Sequence, residues 1–482
     1  MLFNSYEFIF IYLPIVFITY FLLAHYRKIR AASAWLFISS LGFYGYWDVS
    51  YVPLLMGSII FNYIVGAMIE RKQQKKAILC LGVICDLLLL GYFKYTDFLL
   101  DTINNIAGVE MDLPHIILPL GISFFTFTQI AYLVDAYRGE THKYSFLTYC
   151  LFVTIFPHLI AGPIIYHKDM IPQFSRIRNF VVNYKNMSMG IFLFSMGLFK
   201  KVVIADNLSP WVGEIFAKAD YVTFVEAWAG ALGYTFQLYF DFSGYSEMAI
   251  GLGLLFNLKF PVNFDSPYKA CSIIDFWRRW HMTLGSWVKY YIYIPLGGNR
   301  AGELRKMRNL LAAMLLIGLW HGAGWTYVIW GGIHGALLVI NHQWRRLDLH
   351  LPRAICWLMT FFSVVIAWVM FRAGSLHDAL AMLRAMLNVQ TIILPDNGIF
   401  LHLRALLEPY GVIFDVWRLG EPLDRIVYNF LAIFVVLALC PNPIRLLERF
   451  KPNWKWFLLT LTILLTALYK LNDYTEFLYF QF

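Results

Sequence analysis

The chain has 482 residues, of which 60% are apolar, 18% aromatic and only 14% charged, and its mean hydropathy is +0.60. A water-soluble enzyme of this length needs far more polar surface, and disordered, collagenous and coiled-coil chains have other compositions, so these classes are excluded. The 39 Lys+Arg against 30 Asp+Glu give a net charge of +9, which in so apolar a chain points to basic loops at a membrane face and not to nucleic acid.

The length of the apolar runs predicts an all-α polytopic membrane protein and not a β-barrel. The first run, Phe8 to Ala24, has no Lys or Arg before it and no small-residue cleavage site after it, so it reads as a retained transmembrane helix. It ends in the basic stretch Arg27-Lys28-Ile29-Arg30. Runs at 33–47, 50–69 and 77–93 follow, with the basic segment Arg71 to Lys76 between the last two. Positive residues mark the cytoplasmic side, so this parity places the N-terminus outside.

Runs at 116–134 and 146–166 contain Pro119, Gly121, Pro157, Gly162 and Pro163, which predicts broken or re-entrant helices. Further spans are expected at 188–204, 223–240, 245–260, 309–320, 322–341, 354–371, 426–440 and 454–469. The basic, aromatic stretch 267–308 belongs at the cytoplasmic interface, and 372–425 is mixed and mostly interfacial. No internal repeat appears, which weakens an inverted-repeat transporter reading.

The six cysteines form no CxxC or Cys/His cluster, and most lie in apolar runs, so they read as small core residues. No metal site is expected. Of the twelve histidines, His25, His142, His167, His350, His377 and His402 fall at span ends or in loops. His321, in Trp320-His321-Gly322-Ala323-Gly324-Trp325, sits between two long apolar runs, and the glycines allow the helix to break beside it. It reads equally as an intramembrane functional group and as a buried neutral imidazole bonded to a carbonyl. His334, among small residues, reads as packing. At helical spacing His281 shares one face with Trp277, Trp280, Leu284, Val288 and Tyr291, in an amphipathic helix at the interface. That helix is an aromatic anchor or the wall of a cavity in which Arg278 and Arg279 meet a phosphate-bearing ligand. Asp241 and Glu247, inside an apolar region, suggest a polar cavity or an ion-pair network between helices. No Walker motif, GxSxG elbow or HExxH occurs.

Taken together, Leu159-Ile160-Ala161-Gly162-Pro163-Ile164, the stretch Phe242 to Gly253, Phe276-Trp277-Arg278-Arg279-Trp280-His281, Tyr293 to Arg300, Leu319-Trp320-His321-Gly322-Ala323 and the terminal Leu478 to Phe482 resemble the membrane-bound O-acyltransferase (MBOAT) family. Its alginate O-acetyltransferase-like bacterial branch matches best, and that branch also acts in teichoic acid D-alanylation and peptidoglycan O-acetylation. The resemblance covers nearly all of 1–482 as one transmembrane domain, with its densest motifs in 155–335. It implies about eleven transmembrane helices, with re-entrant and interfacial pieces, around a funnel-shaped catalytic centre in the cytoplasmic (inner) membrane. It makes His321 the catalytic histidine and His281 the second.

The implied chemistry is acetyl transfer from cytoplasmic acetyl-CoA, a co-substrate and not a bound cofactor, across the membrane to an extracellular polysaccharide. Membrane lipid and a periplasmic or extracellular acetyltransferase partner complete the system. A neutral imidazole can take the proton of an attacking hydroxyl, so His321 is the candidate general base. His281 orients the donor or stabilises the oxyanion. Arg278 and Arg279 are candidates for the coenzyme phosphates. Peptidoglycan is the alternative acceptor, and a polysaccharide-intermediate flippase is the rival from another class.

Overall fold

A computed structural model of the protein describes residues 1–71, 74–300, 302–471 and 478. The fold is helical, apart from a parallel pairing of Ile393–Pro395 with Ile413–Asp415. Among the described residues five helical stretches are long and apolar enough to cross a bilayer, Glu7–His25, Val49–Arg71, Lys75–Ala107, Tyr184–Ala217 and Arg353–Arg372, and the bent pair Leu423–Leu439 with Pro443–Arg449 makes a sixth. The remaining long helices are shorter or less apolar, so the expected eleven does not follow from length and composition. Their outer faces carry exposed Ile11, Ile18, Leu88 and Phe457, as lipid contact requires.

Most expected runs coincide with helices, and the exceptions have physical causes. The runs 223–240 and 245–260 form a single helix, Phe224–Leu255, started by a capping box between Thr223 and Glu226. The polar island at 241–247 does not interrupt it, because its carboxylates are paired across the bundle. Lys201 Nζ lies 2.5 Å from Asp241 and 2.7 Å from Asp206, and Lys200 bonds Glu247. A π-helical turn, Lys200–Ala205, brings these two successive lysines to the core. The ion-pair alternative is therefore the correct one for Asp241 and Glu247.

The same helix packs very closely on Tyr184–Phe199 through glycines seven residues apart on both sides. A Cβ built on Gly197 would stand 2.4 Å from the Gly244 carbonyl oxygen, and one on Gly190 would stand 2.7 Å from that of Gly251. Backbone cannot yield as a flexible side chain can. Gly197→Leu is expected to destabilise the protein by at least about 1–3 kcal/mol through overpacking, read as a lowered thermal unfolding midpoint in detergent, whereas Gly213→Leu, where a Cβ meets nothing, leaves it unchanged.

The run 146–166 is broken as expected. Helix Phe146–Thr154 is followed by one turn, Phe156–Leu159, and then by extended chain. The expected amphipathic helix around His281 is not formed. Ile273–Trp277 and Met282–Val288 are separate short helices, and His281 between them is left-handed at φ 43°. Helical spacing thus misassigned its face, because the first helix ends at Trp277 and the chain passes through a turn and a bend before the next begins. His167, expected at a span end, is fully buried, with its imidazole 3.0 Å from both Asp135 and the Tyr144 hydroxyl. Of the cysteines only Cys150 is buried, while Cys80 and Cys440 are exposed, so the core reading fails for most. Of the basic segment Arg71 to Lys76, Lys72 and Gln73 lie outside the described residues, as does all of the terminal motif except Leu478.

Candidate active site

Helix Glu303–His321 ends at His321, and Gly322 continues in extended conformation, so the break falls where the glycines allow it. The last carbonyls of this helix would be orphaned in an apolar interior. Lys94 Nζ donates to the oxygens of Trp320 at 2.5 Å and His321 at 3.0 Å, and the Tyr95 hydroxyl donates to Leu319 at 2.9 Å. A cation at a helix C-terminus also complements the macrodipole. The expected run stopped at 93 because of this lysine; the helix runs on to Ala107 and uses it to hold the end that carries His321.

His281 and His321 converge from different parts of the chain, with ring centroids 6.3 Å apart. Both are buried, His281 completely and His321 with 6% exposed. Aromatic rings enclose them: Phe242 lies edge-on to His281 at 4.9 Å, and Trp330 and Phe371 meet His321 at 5.3 and 5.4 Å. This box keeps water from the imidazoles, which strengthens every polar interaction inside it.

The protonation of His281 follows from its neighbours. Asn263 Oδ1 faces His281 Nδ1 at 3.0 Å, and also takes the Thr283 hydroxyl at 2.9 Å and the Thr283 backbone N–H at 3.4 Å. The backbone N–H can only donate, so the facing atom is the amide oxygen, and Nδ1 carries the proton. Nε2 then bears a lone pair, and no group among the described residues bonds it. His321 Nδ1 is likewise buried without a hydrogen-bond partner among the described residues. Two imidazoles thus present unsatisfied polar atoms in one apolar enclosure, a cost that native proteins concentrate at working sites.

The two arginines part company. Arg278 lines a cavity of about 420 Å³ with Trp277, Ser286, Lys289, Met314 and Ile317. Neither histidine lines it, although Met282 beside His281 and Ile317 one turn before His321 do. Arg279 instead bonds Asp275 at 2.9 Å and the Asp265 carbonyl at 3.3 Å, so it staples the loop. His334 accepts from Trp277 Nε1 at 3.3 Å and is packed among rings, in keeping with its packing role. Among the described residues no group of three His, Cys, Asp or Glu could hold a metal ion.

Sequence reasoning missed Asn263, Thr283, Lys94 and Tyr95. A lone lysine closing an apolar run was the available signal for Lys94; Asn263 had none, being eighteen residues from the histidine it holds.

The two buried histidines, with one nitrogen of each left unbonded among the described residues, make a candidate site inside the helix bundle, and comparison with known proteins gives the class of the chain. Residues 120–382 match MBOAT, the membrane-bound O-acyltransferase family. A peptidoglycan O-acetyltransferase of Helicobacter pylori is 48% identical over 425 residues, covering 81% of each chain. A probable alginate O-acetylase, AlgI, of Pseudomonas aeruginosa is 44% identical over 405 residues, covering 81% of this chain and 76% of the other. A teichoic acid D-alanyltransferase of Streptococcus thermophilus is 28% identical over 239 residues, 47% of this chain and 57% of its own. The chain belongs to the membrane-bound O-acyltransferase family: it is a multi-pass membrane acyltransferase, as its motifs implied.

Proposed function

We propose that the protein moves an acetyl group from acetyl-CoA at the cytoplasmic face of the inner membrane to a hydroxyl outside, for O-acetylation of an extracellular polysaccharide of alginate type. The observation that carries this is the pair of enclosed imidazoles beside a cavity bearing Arg278 and Lys289. That cavity is large enough for a thioester arm, and its two cations suit a phosphorylated donor. His321 takes the hydroxyl proton as the oxygen attacks the thioester carbon, and the coenzyme leaves as thiol. His281 offers only a lone pair at Nε2, so orienting a reactant as hydrogen-bond acceptor suits it better than donating to an oxyanion. A periplasmic or extracellular partner receives the group and passes it to the polymer.

Peptidoglycan is the second reading, favoured by the 48% identity to a relative bearing that activity in its name. Purified protein in lipid tests the enzyme reading against a flippase. Acetyl-CoA turnover supports it; vectorial sugar flux without thioester consumption contradicts it.

The holding of His281 by Asn263 has its own test. Asn263→Ala is expected to lower kcat about tenfold, the value of the one hydrogen bond that fixes the tautomer and orientation of His281. Asn263→Asp keeps an acceptor at Nδ1 and retains most of the activity. Its carboxylate favours the imidazolium, so the acidic limb of the pH–rate profile moves to higher pH. A purely structural Asn263 would leave that limb in place.

A further inference from the structure

Away from the active site, a cavity of about 250 Å³ opens between the segment 173–186 and the chain just after helix Phe224–Leu255. Arg176, Arg178 and Lys259 line it, and no carboxylate does among the described residues. Among the described residues none of the three side chains forms an ion pair; the nearest acids in sequence, Asp169 and Asp265, do not line the cavity, and Asp265 pairs with Arg445 instead. All three side chains are exposed, so water and salt screen part of their mutual repulsion, and an anion between them would neutralise the rest.

The walls are built and not incidental. Buried Gln173 grips the backbone of Lys259 at both ends, accepting from its N–H at 2.8 Å and donating to its carbonyl at 3.1 Å. Buried Asn257 donates to the carbonyls of Asn179 and Val181 at 3.2 and 2.8 Å, and Asn186 donates to Asn257. The N-terminus of helix Tyr184–Phe199, capped by Asn183, opens into the same space and adds its positive end.

A second observation specifies the ligand. The residues alternating with the cavity wall project large apolar side chains outward: Ile177 is 79% exposed, Val181 62% and Tyr184 74%. Tyr20 stacks on Phe180 at 5.7 Å, which sets this fringe at the end of helix Glu7–His25 where Arg27, Lys28 and Arg30 follow. Cations lining one cavity beside an exposed apolar fringe match an amphiphile with an anionic head.

We infer that the Arg176/Arg178/Lys259 cavity binds the phosphate headgroup of an anionic phospholipid, whose chains lie along Ile177, Val181 and Tyr184. The site is separate from the acyltransfer centre and does not depend on which polymer is acetylated. Basic pockets between helices at a membrane face commonly take such headgroups.

Full-length protein is compared in phosphatidylcholine bilayers with and without phosphatidylglycerol, by thermal unfolding and by the lipid retained on purification. The wild type is expected to retain phosphatidylglycerol and unfold at higher temperature with it. The variant Arg176→Gln/Arg178→Gln/Lys259→Gln loses about a hundredfold in retention, three cations each contributing a few-fold. Arg176→Lys/Arg178→Lys keeps the charge and retains the lipid. Equal retention by the glutamine variant overturns the site. Equal stabilisation by inorganic phosphate or free coenzyme A in phosphatidylcholine alone assigns the pocket to a soluble anion and overturns the lipid assignment.

Discussion

His321→Ala is expected to lower acyl transfer by about 10²–10⁴-fold, the usual contribution of a positioned general base. Membrane insertion should be normal, and the unfolding midpoint should stay within about 1–2 °C of wild type, equivalent to ~1 kcal/mol for a chain of this length. The ring can be spared structurally because its Nδ1 bonds nothing among the described residues and those after it, Gly322, Ala323 and Gly324, are small. What holds this helix end is Lys94 and Tyr95 bonding to backbone, and those bonds survive truncation of the side chain. Near-normal turnover by the folded variant would exclude His321 as the base. A variant that fails to fold would mean that the imidazole is a packing element.

The largest expected loss of stability comes from Lys201→Met. This ammonium stands between Asp206 and Asp241 in a region where all three side chains are almost wholly buried. Removing it leaves two carboxylates facing each other without their cation, a cost of about 3–5 kcal/mol for a broken buried pair. Folded protein recovered from membranes should fall sharply. Adding Asp206→Asn and Asp241→Asn removes the stranded charge and should restore most of it. If the single variant is as stable as wild type, the ionic cluster does not hold the bundle. By contrast, Arg404 pairs with exposed Asp396 at the surface, and its loss should pass unnoticed.

The apolar runs revealed most helices because hydropathy over some twenty residues is a strong signal, and the Pro157/Gly162 break was visible in the residues themselves. The signal failed where tertiary partners reversed the local reading. Asp241 and Glu247 looked like a gap between two spans only because Lys200 and Lys201, forty or more residues earlier, were not yet known to face them. The periodicity around His281 suggested one continuous helix, since nothing in it announced a left-handed residue at that point. Histidine tolerates that conformation better than most residues, and the resulting turn is what directs the ring towards Asn263 and His321.

At the site, the two histidines were legible as ionisable groups in apolar surroundings, and their motifs carried the family resemblance. Their separation and the tautomer of His281 were not, because both depend on contacts between distant segments. The same limit applies to the arginines: adjacent in sequence, Arg278 enters the cavity and Arg279 bonds Asp275. The family match ends at residue 382, and beyond it the strand pair and short turns of 383–422 rest on the body of the protein through Phe224 and Glu214.

In the proposed function one enzyme both transfers the acetyl group and carries it across the bilayer. The decisive experiment uses proteoliposomes of uniform orientation, with labelled acetyl-CoA supplied only at the face bearing Arg278 and Lys289. Labelled acetyl ester is expected on an acceptor in the opposite compartment, with free coenzyme A released on the side of addition, and neither product is expected with His321→Ala. Label recovered only on the side of the donor, or coenzyme A crossing with it, would refute transfer across the membrane.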